Sequence, residues 1–306
     1  MRRRKQKLLG WFAGLILFLS FSGFKGQQAQ IVPVVFDTCS EYIILSALEN
    51  EIAVLASKQE QSMDDGSEDI QGMDVTKLPD YVTRYPELYA PEEAKIGEEI
   101  QQPEGKIAYL SFDDGPSEQT ITVLDILKEE GIHATFFLIG EEITPEREDI
   151  VRRIVDEGHT IGLHTYCHNY EKLYSSVDAF LEDYEKVCLK IYEVAGVRPS
   201  IFRFPGGSRN HYGKKIVDSV AEEMERRGYC YYDWNVSAED SVGKPTSYSI
   251  RANIFKDVFR YDTPVILMHD SATNALTVSM LADIIKEIKE AGYEFDTLDN
   301  RECCQF

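Results

Sequence analysis

Two adjacent acids at the end of an apolar run are the first residues of this sequence with a clear capacity for chemistry. Asp113 and Asp114 follow the apolar run 107–112, and Gly115-Pro116 then ends the predicted strand. Neighbouring carboxylates repel each other unless a positive group lies beside them. A metal ion or an arginine meets that requirement, and the chain supplies candidates for both.

His164 and His168 are predicted metal ligands. Their i, i+4 spacing would place both rings on one face of a helical turn, although a pair on a helix surface has the same spacing. Asp114 is the predicted third ligand, and two histidines with one carboxylate leave a position open for water, as in catalytic zinc sites. The sequence therefore predicts one divalent ion, Zn²⁺ by preference, with Co²⁺, Ni²⁺ or Mn²⁺ as alternatives. Cys167 lies within reach of the same ion, but ordinary packing is the preferred interpretation.

Asp113 is the predicted general base. Adjacent side chains diverge on a strand, so Asp113 does not easily share the ion with Asp114 and is free to take a proton from water. Arg203 is its predicted orienting partner, because an arginine within the apolar segment 201–204 is costly to bury without a carboxylate. A purely structural ion pair would have the same geometry.

His269 is the predicted general acid. It follows the apolar strand 264–268 and stands at the strand end beside Asp270. A histidine on an apolar strand is more often a packed core residue, but the strand end is where an acid would stand. Its charged form requires a carboxylate neighbour, for which Asp233 and Asp240 are the candidates.

Four further residues are predicted to contact the substrate. The backbone N–H of Gly206, which follows Pro205, is expected to donate to an oxyanion. Leu267 is expected to line a small apolar pocket for a methyl group. Trp234 is assigned to the same substrate-binding set.

The elements that must position these residues alternate regularly from about residue 106 onward. Helical patterns end in glycine, the usual residue just past a helix C-terminus, and β-rich runs follow at once. About seven strands are predicted, near 107–112, 133–138, 159–163, 200–203, 229–235, 264–268 and 293–297. Strict alternation predicts a parallel α/β sheet, and candidate residues at the C-terminal ends of several strands favour a barrel over an open sheet.

The remainder of the chain differs from this domain. A basic stretch, Arg2–Lys7, precedes an uncharged apolar run, so residues 1–30 are predicted to be a signal peptide or a membrane anchor. Residues 31–105 form a predicted acidic stalk or linker with a helix over Cys39–Lys58. Residues 106–306 are the predicted catalytic domain, at the extracellular face of the membrane or secreted.

Charge and cysteine content limit the kinds of partner and metal site that the sequence predicts. A formal net charge of −21 repels phosphate backbones, so nucleic acid is not an expected partner. The six cysteines include no C-x-x-C pair, which argues against a zinc knuckle, and some can pair if the domain is exported. Sequence alone leaves the pairing open.

Five short motifs, taken in order, resemble those of the polysaccharide deacetylases with a NodB homology domain (carbohydrate esterase family 4). They are Ser-Phe-Asp-Asp-Gly, His-Thr-x-x-His, Arg-x-Pro, Asp-Trp-Asn and Leu-x-His-Asp, and the resemblance covers about residues 106–298. It implies a distorted (β/α) barrel of about seven parallel strands and metal-dependent N- or O-deacetylation of a glycan. It implies the site roles given above, with Asp113 as base and His269 as acid. The segment 202–208 resembles the Gram-positive peptidoglycan N-acetylglucosamine deacetylases, which makes peptidoglycan the expected substrate.

Two departures from the family pattern bear on the site. Gly206 stands where many members carry Tyr or Phe, which removes a side chain expected to wall the substrate groove. Ser237 and Ser241 stand where many members carry Asp and Trp, so Asp240 is preferred over Asp233 as the partner of His269. Chitooligosaccharide or acetylxylan deacetylation remains an alternative, as does a catalytically silent wall-binding protein.

Overall fold

The structure is a computed structural model that describes residues 80–91 and 105–303, all within the compact unit Pro79–Phe306. The predicted N-terminal membrane segment and the helix over Cys39–Lys58 lie outside these residues. Among the described residues, no helix combines the length and apolar character needed to cross a membrane.

Within residues 80–91 and 105–303, eight strands form a curved sheet in which every strand pairing is parallel. Seven lie in the order β5-β4-β3-β2-β1-β7-β6, and β8 pairs with the start of β1. No pairing between β5 and β6 closes the sheet within the described residues, so the expected barrel is an incomplete one. The strands are β1 Lys106–Gly115, β2 Thr135–Ile139, β3 Thr160–Thr165, β4 Ile201–Phe202, β5 Cys230–Tyr231, β6 Val236–Ser237, β7 Val265–His269 and β8 Tyr293–Phe295.

Helices follow most strands and cover the outer face of the sheet. Two helices end at a glycine, as the sequence predicted. The first helix begins after the N-cap Ser117 and ends at Gly131, which has φ +64°. Gly196, with φ +70°, ends the longest described helix in the same way. The helices are α1 Glu118–Glu130, α2 Glu148–Asp156, α3 Tyr170–Leu173, α4 Val177–Ala195, α5 Val217–Arg226, α6 Ser247–Asp257 and α7 Ala275–Glu290.

The central strand β1 separates two environments. Ala108, Leu110 and Phe112 belong to the large core between sheet and helices. On the other face, Ile107 and Tyr109 belong to a smaller apolar cluster inside the curved sheet. Because side chains alternate along a strand, that inner face continues through Ser111 to Asp113. Asp113 therefore lies at the end of the face that carries the smaller apolar cluster.

The strand predicted over 229–235 forms only at Cys230–Tyr231, as β5, and β6 begins just past the predicted run on the opposite edge of the sheet. β5 pairs with β4, whereas β6 pairs with β7. Residues 232–235 cross between them, and the carbonyls of Tyr232 and Asp233 accept hydrogen bonds from Arg203 at 2.8 and 3.4 Å. A buried guanidinium thus takes the backbone groups that a continuous strand would have paired.

A disulfide joins Cys230 to Cys303 across 73 residues of sequence. It attaches the end of the described chain to β5, where the Tyr232 hydroxyl also donates to the Arg301 carbonyl. This pairing is one of several that the sequence left open.

Residues 80–91, within the predicted linker, pack against the domain as a strap. The Arg227 side chain, which is fully buried, donates to the carbonyls of four strap residues while its Nε donates to Glu223 at 2.6 Å. The four carbonyls belong to Tyr81, Arg84, Tyr85 and Leu88. Leu88 itself is fully buried in the main core. The strap therefore extends the packed unit upstream of residue 106.

Replacing Leu88 by alanine tests the strap. Loss of a fully buried leucine is expected to lower the free energy of unfolding by about 2–5 kcal/mol. The measurement is urea unfolding of the purified protein. As a control, Leu189→Ala on α4, where the side chain is 39 % exposed, should change stability by no more than about 0.5 kcal/mol. Equal stability of both variants would show that the strap is not part of the folded unit.

Candidate active site

The guanidinium of Arg203 is a fully buried charge in the site. Its side chain has no solvent exposure, and Nη1 donates to Asp113 Oδ1 and to Ser111 Oγ, each at 2.8 Å. The guanidinium carbon lies 4.2 Å from the centre of the Phe137 ring. Arg203 follows β4 and reaches across β3 and β2 to β1, so it fixes the Asp113 carboxylate from inside the sheet.

Asp113 and His269 are direct neighbours because β1 and β7 pair in that register. Both side chains therefore leave the same face of the sheet. β3, which carries His164, lies on the other side of β1. The second carboxylate oxygen of Asp113 is 3.8 Å from His164 Nε2. Asp113 thus lies between His164 and His269.

Asp114, His164 and His168 form a cluster of three metal-binding side chains. One ligand atom from each lies within 4.8 Å of the other two. Asp114 Oδ1 is 3.5 Å from His164 Nε2 and 3.4 Å from His168 Nε2. The structure therefore brings together the three residues that the sequence predicted as ligands.

The predicted helical turn between the histidines is wrong. His164 lies on β3, whereas His168 lies in the following loop with φ +49°. The His168 N–H donates to Thr165 Oγ1 at 3.2 Å, and this local bond shapes the loop in place of a helical ladder. The rings still approach each other, with centres 5.4 Å apart.

Asp183 on α4 holds that loop, and sequence reasoning missed it. Its buried carboxylate accepts hydrogen bonds from Thr165 Oγ1 and Tyr166 N at 2.6 Å each, and from Cys167 Sγ at 3.2 Å. Cys167 therefore faces Asp183 and is not in the ligand cluster. A helix position seventeen residues after Tyr166 carries no local signal for this contact.

The three side chains fit a divalent cation. Asp114 Oδ1 is buried without a hydrogen-bond partner among the described residues, a costly state that a cation would relieve. His164 Nδ1 lies 3.0 Å from the Arg203 carbonyl, which directs the Nε2 lone pair toward Asp114. Burial lowers the pKa of His164 and so favours the neutral form that binds metal.

His269 pairs with Asp240. Its Nδ1 is 2.7 Å from Asp240 Oδ1, and Asp240 Oδ2 accepts bonds from His269 N, Thr277 Oγ1 and Asn274 Nδ2. Burial lowers the pKa of His269, but the bond to Asp240 and the charges of Asp113, Asp240 and Asp114 outweigh it and raise the pKa to about 9. Asp233, the other candidate partner, instead accepts bonds from Ser208.

Three of the four predicted substrate residues, Pro205, Gly206 and Trp234, lie in or beside a tight turn. Gly207 N donates to Phe204 O, with Pro205 and then Gly206 (φ +75°) at the central positions, as in a type II turn. No acceptor among the described residues bonds the Gly206 N–H. A Cβ atom on Gly207 would lie 3.2 Å from the Trp234 ring, so that ring borders the turn. Leu267 is buried two residues before His269 on β7.

Asp270 is a further buried acid, for which the sequence predicted no role. Its side chain has no exposure and accepts a bond from Thr120 Oγ1 at 2.5 Å. Burial and the charges of Asp114 and Asp113 raise its pKa to about 7, although the Thr120 bond opposes the rise. A Cβ atom at Gly115 would lie 2.7 Å from this carboxylate, which explains the glycine after the acid pair.

Comparison with known proteins agrees with this geometry. A family model described as polysaccharide deacetylase matches residues 100–225. A peptidoglycan-N-acetylglucosamine deacetylase of Bacillus cereus is 36% identical over 197 residues, which is 63% of this chain and 69% of that protein. This chain belongs to the polysaccharide deacetylase family.

Two solved members share the deacetylase fold. The catalytic domain of a peptidoglycan N-acetylglucosamine deacetylase from Eubacterium rectale is 34% identical, with a TM-score of 0.61 over 64% of this chain and 90% of that one. A family 4 acetyl xylan esterase from Clostridium thermocellum, in complex with a cobalt ion, is 30% identical with a TM-score of 0.53, over 63% of this chain and 88% of that one. The resemblance in the five motifs is thus matched by whole-domain similarity.

Asp183→Asn tests how the metal loop is held. Loss of the carboxylate charge and of one acceptor should loosen residues 165–168 and weaken Zn²⁺ binding by about 10–100-fold, as for other residues that orient metal ligands. Calorimetric titration of the metal-free protein measures this. The adjacent Glu182→Gln, an exposed side chain paired with Lys186, is the control and should bind Zn²⁺ like the parent. Unchanged affinity in Asp183→Asn would remove its positioning role.

Proposed function

We propose that this protein is a metal-dependent hydrolase that removes N-acetyl groups from peptidoglycan. The observation that carries the proposal is the cluster of Asp114, His164 and His168 beside an acid held by Arg203 and a histidine held by Asp240. One base, one acid and one cation site are the parts that amide hydrolysis by water requires. The similar Bacillus and Eubacterium proteins support peptidoglycan as the substrate.

Asp114, His164 and His168 would hold the cation. When bound, it would supply Lewis-acid polarisation of the acyl carbonyl and acidify water. Zn²⁺ suits two imidazoles and one carboxylate, and Co²⁺, Ni²⁺ and Mn²⁺ suit them as well. The cobalt complex of the xylan esterase supports a transition metal at this kind of site.

Asp113 is the proposed general base. Arg203 occupies Oδ1, which leaves Oδ2 facing His164 and free to accept a proton from the attacking water. The buried guanidinium also fixes the carboxylate in position, so that little reorganisation accompanies proton transfer. The Gly206 N–H is the proposed donor to the tetrahedral oxyanion.

His269 is the proposed general acid, positioned by Asp240. Its Nδ1 is occupied by Asp240, so Nε2 is the nitrogen that delivers a proton to the leaving amine. A pKa of about 9 keeps the ring protonated at neutral pH. Products are acetate and a free amine on the sugar.

Export to the outer face of the membrane follows from the proposed substrate. Peptidoglycan lies outside the cytoplasmic membrane, and the basic and then apolar N-terminal sequence supports either an anchor or a cleaved signal there. We propose that residues 1–30 place the catalytic domain at the extracellular face.

Acetate release from N-acetylated peptidoglycan tests the function. The purified protein should release acetate when loaded with Zn²⁺ or Co²⁺ and lose that activity when the metal is chelated. Release only from chitin oligomers or acetylxylan would reassign the substrate. No release from any of the three with metal bound would favour the catalytically silent wall-binding alternative.

Asp113→Asn and Asp114→Asn are a matched pair of variants at adjacent positions, and they are expected to differ in whether bound metal is lost together with activity. Asp113→Asn should lower kcat at least about a hundredfold and retain the metal, because the base is lost while the ligands stay. Asp114→Asn should lose both activity and most of the metal. Metal content by atomic absorption alongside acetate release separates the two. Appreciable activity in Asp113→Asn would overturn its role as base.

Asp240→Asn should shift the pH dependence. The acid must be protonated, so kcat/KM of the parent should fall as pH rises toward about 9, somewhat earlier if the bound cation lowers the pKa. Without the Asp240 charge the pKa of His269 falls, and the alkaline limb should move to lower pH. Asp233→Asn is the control, and its limb should not move, since Asp233 bonds Ser208. An unmoved limb in Asp240→Asn would refute the pairing.

A further inference from the structure

A row of aromatic rings leads from the metal cluster to the protein surface. The Tyr170 ring lies edge-on to His168, with centres 5.2 Å apart, and 5.1 Å from the Tyr212 ring. Tyr212 in turn lies 4.0 Å from the exposed ring of His211. Tyr212 is 46 % exposed, which is unusual for a large ring that touches its neighbours on two sides. We call Tyr170 and Tyr212 the aromatic platform.

Tyr170 also forms the wall whose absence the sequence suggested at Gly206. A Cβ atom built on Gly206 would lie 3.1 Å from Tyr170 Cε1 and 3.3 Å from its hydroxyl oxygen. The ring therefore stands directly against the turn whose N–H faces the proposed oxyanion. A side chain at position 206 and the Tyr170 ring compete for one space, and here the ring occupies it.

The Tyr170 hydroxyl differs from those of nearby tyrosines. Tyr174 donates to Pro205 O at 2.8 Å, and the Tyr184 hydroxyl lies within bonding distance of the His164 and Arg203 carbonyls. In the part of the chain that the structure describes, the Tyr170 hydroxyl bonds to no protein group. It is free to bond a ligand at the mouth of the site.

We propose that Tyr170 and Tyr212 bind a pyranose ring of the glycan chain adjacent to the sugar that is deacetylated. The inference rests on the proposed function, because it assigns the occupant from the substrate of that site. A tyrosine ring offers an apolar face to the C–H face of a sugar and a hydroxyl to its polar groups. The row is continuous with the metal cluster, so a chain bound there has its next sugar at the proposed base and acid.

With the platform, the affinity for a glycan depends on the length of the glycan chain. A monosaccharide is too short to occupy both the reacting position and the platform, whereas an oligomer occupies both. Binding energy gained away from the reacting bond then holds the acetyl group in place. The platform residues are specificity determinants and take no part in proton transfer.

Tyr212→Ala and Tyr170→Phe test the proposal on the full-length protein. The probes are the monosaccharide N-acetylglucosamine and its β-1,4-linked pentasaccharide, titrated into metal-loaded protein that carries Asp113→Asn to prevent turnover. Tyr212→Ala should weaken pentasaccharide binding by about five- to tenfold and leave monosaccharide binding within about twofold. Tyr170→Phe should weaken the pentasaccharide by a similar factor while keeping its metal. Tyr248→Ala, 83 % exposed on α6, is the control and should bind both probes normally.

Acetate release by the protein without Asp113→Asn is measured in parallel, so that the two proposals fail separately. Release together with equal pentasaccharide affinity in Tyr212→Ala and its parent overturns the platform and keeps the deacetylase. Weakened pentasaccharide binding without acetate release from any glycan supports the platform and overturns the deacetylase. Absence of both release and pentasaccharide binding overturns both.

Discussion

A guanidinium that has no contact with solvent is the constraint on which this site depends. Burying Arg203 is costly unless each of its donors is paired and its charge is balanced. Asp113 balances the charge, while Ser111 and two backbone carbonyls accept the remaining bonds. These partners come from β1 and from the crossover between β5 and β6. Satisfying one side chain therefore fixes the relative positions of three parts of the sheet, and it holds the Asp113 carboxylate in place at the centre.

Two of the three candidate metal ligands sit on strained backbone that the surrounding structure must support. Asp114 and His168 both have positive φ, at 71° and 49°, which is uncommon outside glycine. Support comes from outside the ligands, since Asp183 holds the loop before His168 and Asp270 packs against Gly115 after Asp114. A helix and a neighbouring strand end thus determine where the ligand atoms converge. The same principle applies to His269, whose orientation depends on Asp240 and on the Thr277 hydroxyl that holds Asp240.

Sequence patterns predicted the parallel strands, the convergence of their C-terminal ends and the identity of the ligand cluster. These features depend on local signals, namely glycine after helices, apolar runs and acids or histidines at run ends. The prediction of a helical turn between His164 and His168 was wrong because bonds to Thr165 and Asp183 shape that segment as a loop. Asp183 lies on α4, too far along the chain for a local pattern to indicate the contact. The prediction of one strand over 229–235 was wrong for a similar reason, since the carbonyls of Tyr232 and Asp233 bond to Arg203 and not to a neighbouring strand. The region of the strap was predicted as linker and wrapping segment, but its bonds to Arg227 were not predicted, because they span more than a hundred residues of sequence. The catalytic roles assigned to the site residues remain predictions.

The central claim is that Asp114, His164 and His168 bind one cation while Asp113 stays free to act as base. Anomalous diffraction from crystals of the Co²⁺-loaded protein tests it most directly. The account predicts a single cobalt peak in the described domain, bonded to Asp114, His164 Nε2 and His168 Nε2, with Asp113 still paired to Arg203 and outside the coordination sphere. A cobalt ion bonded to the Asp113 carboxylate, or located away from these three ligands, would contradict it.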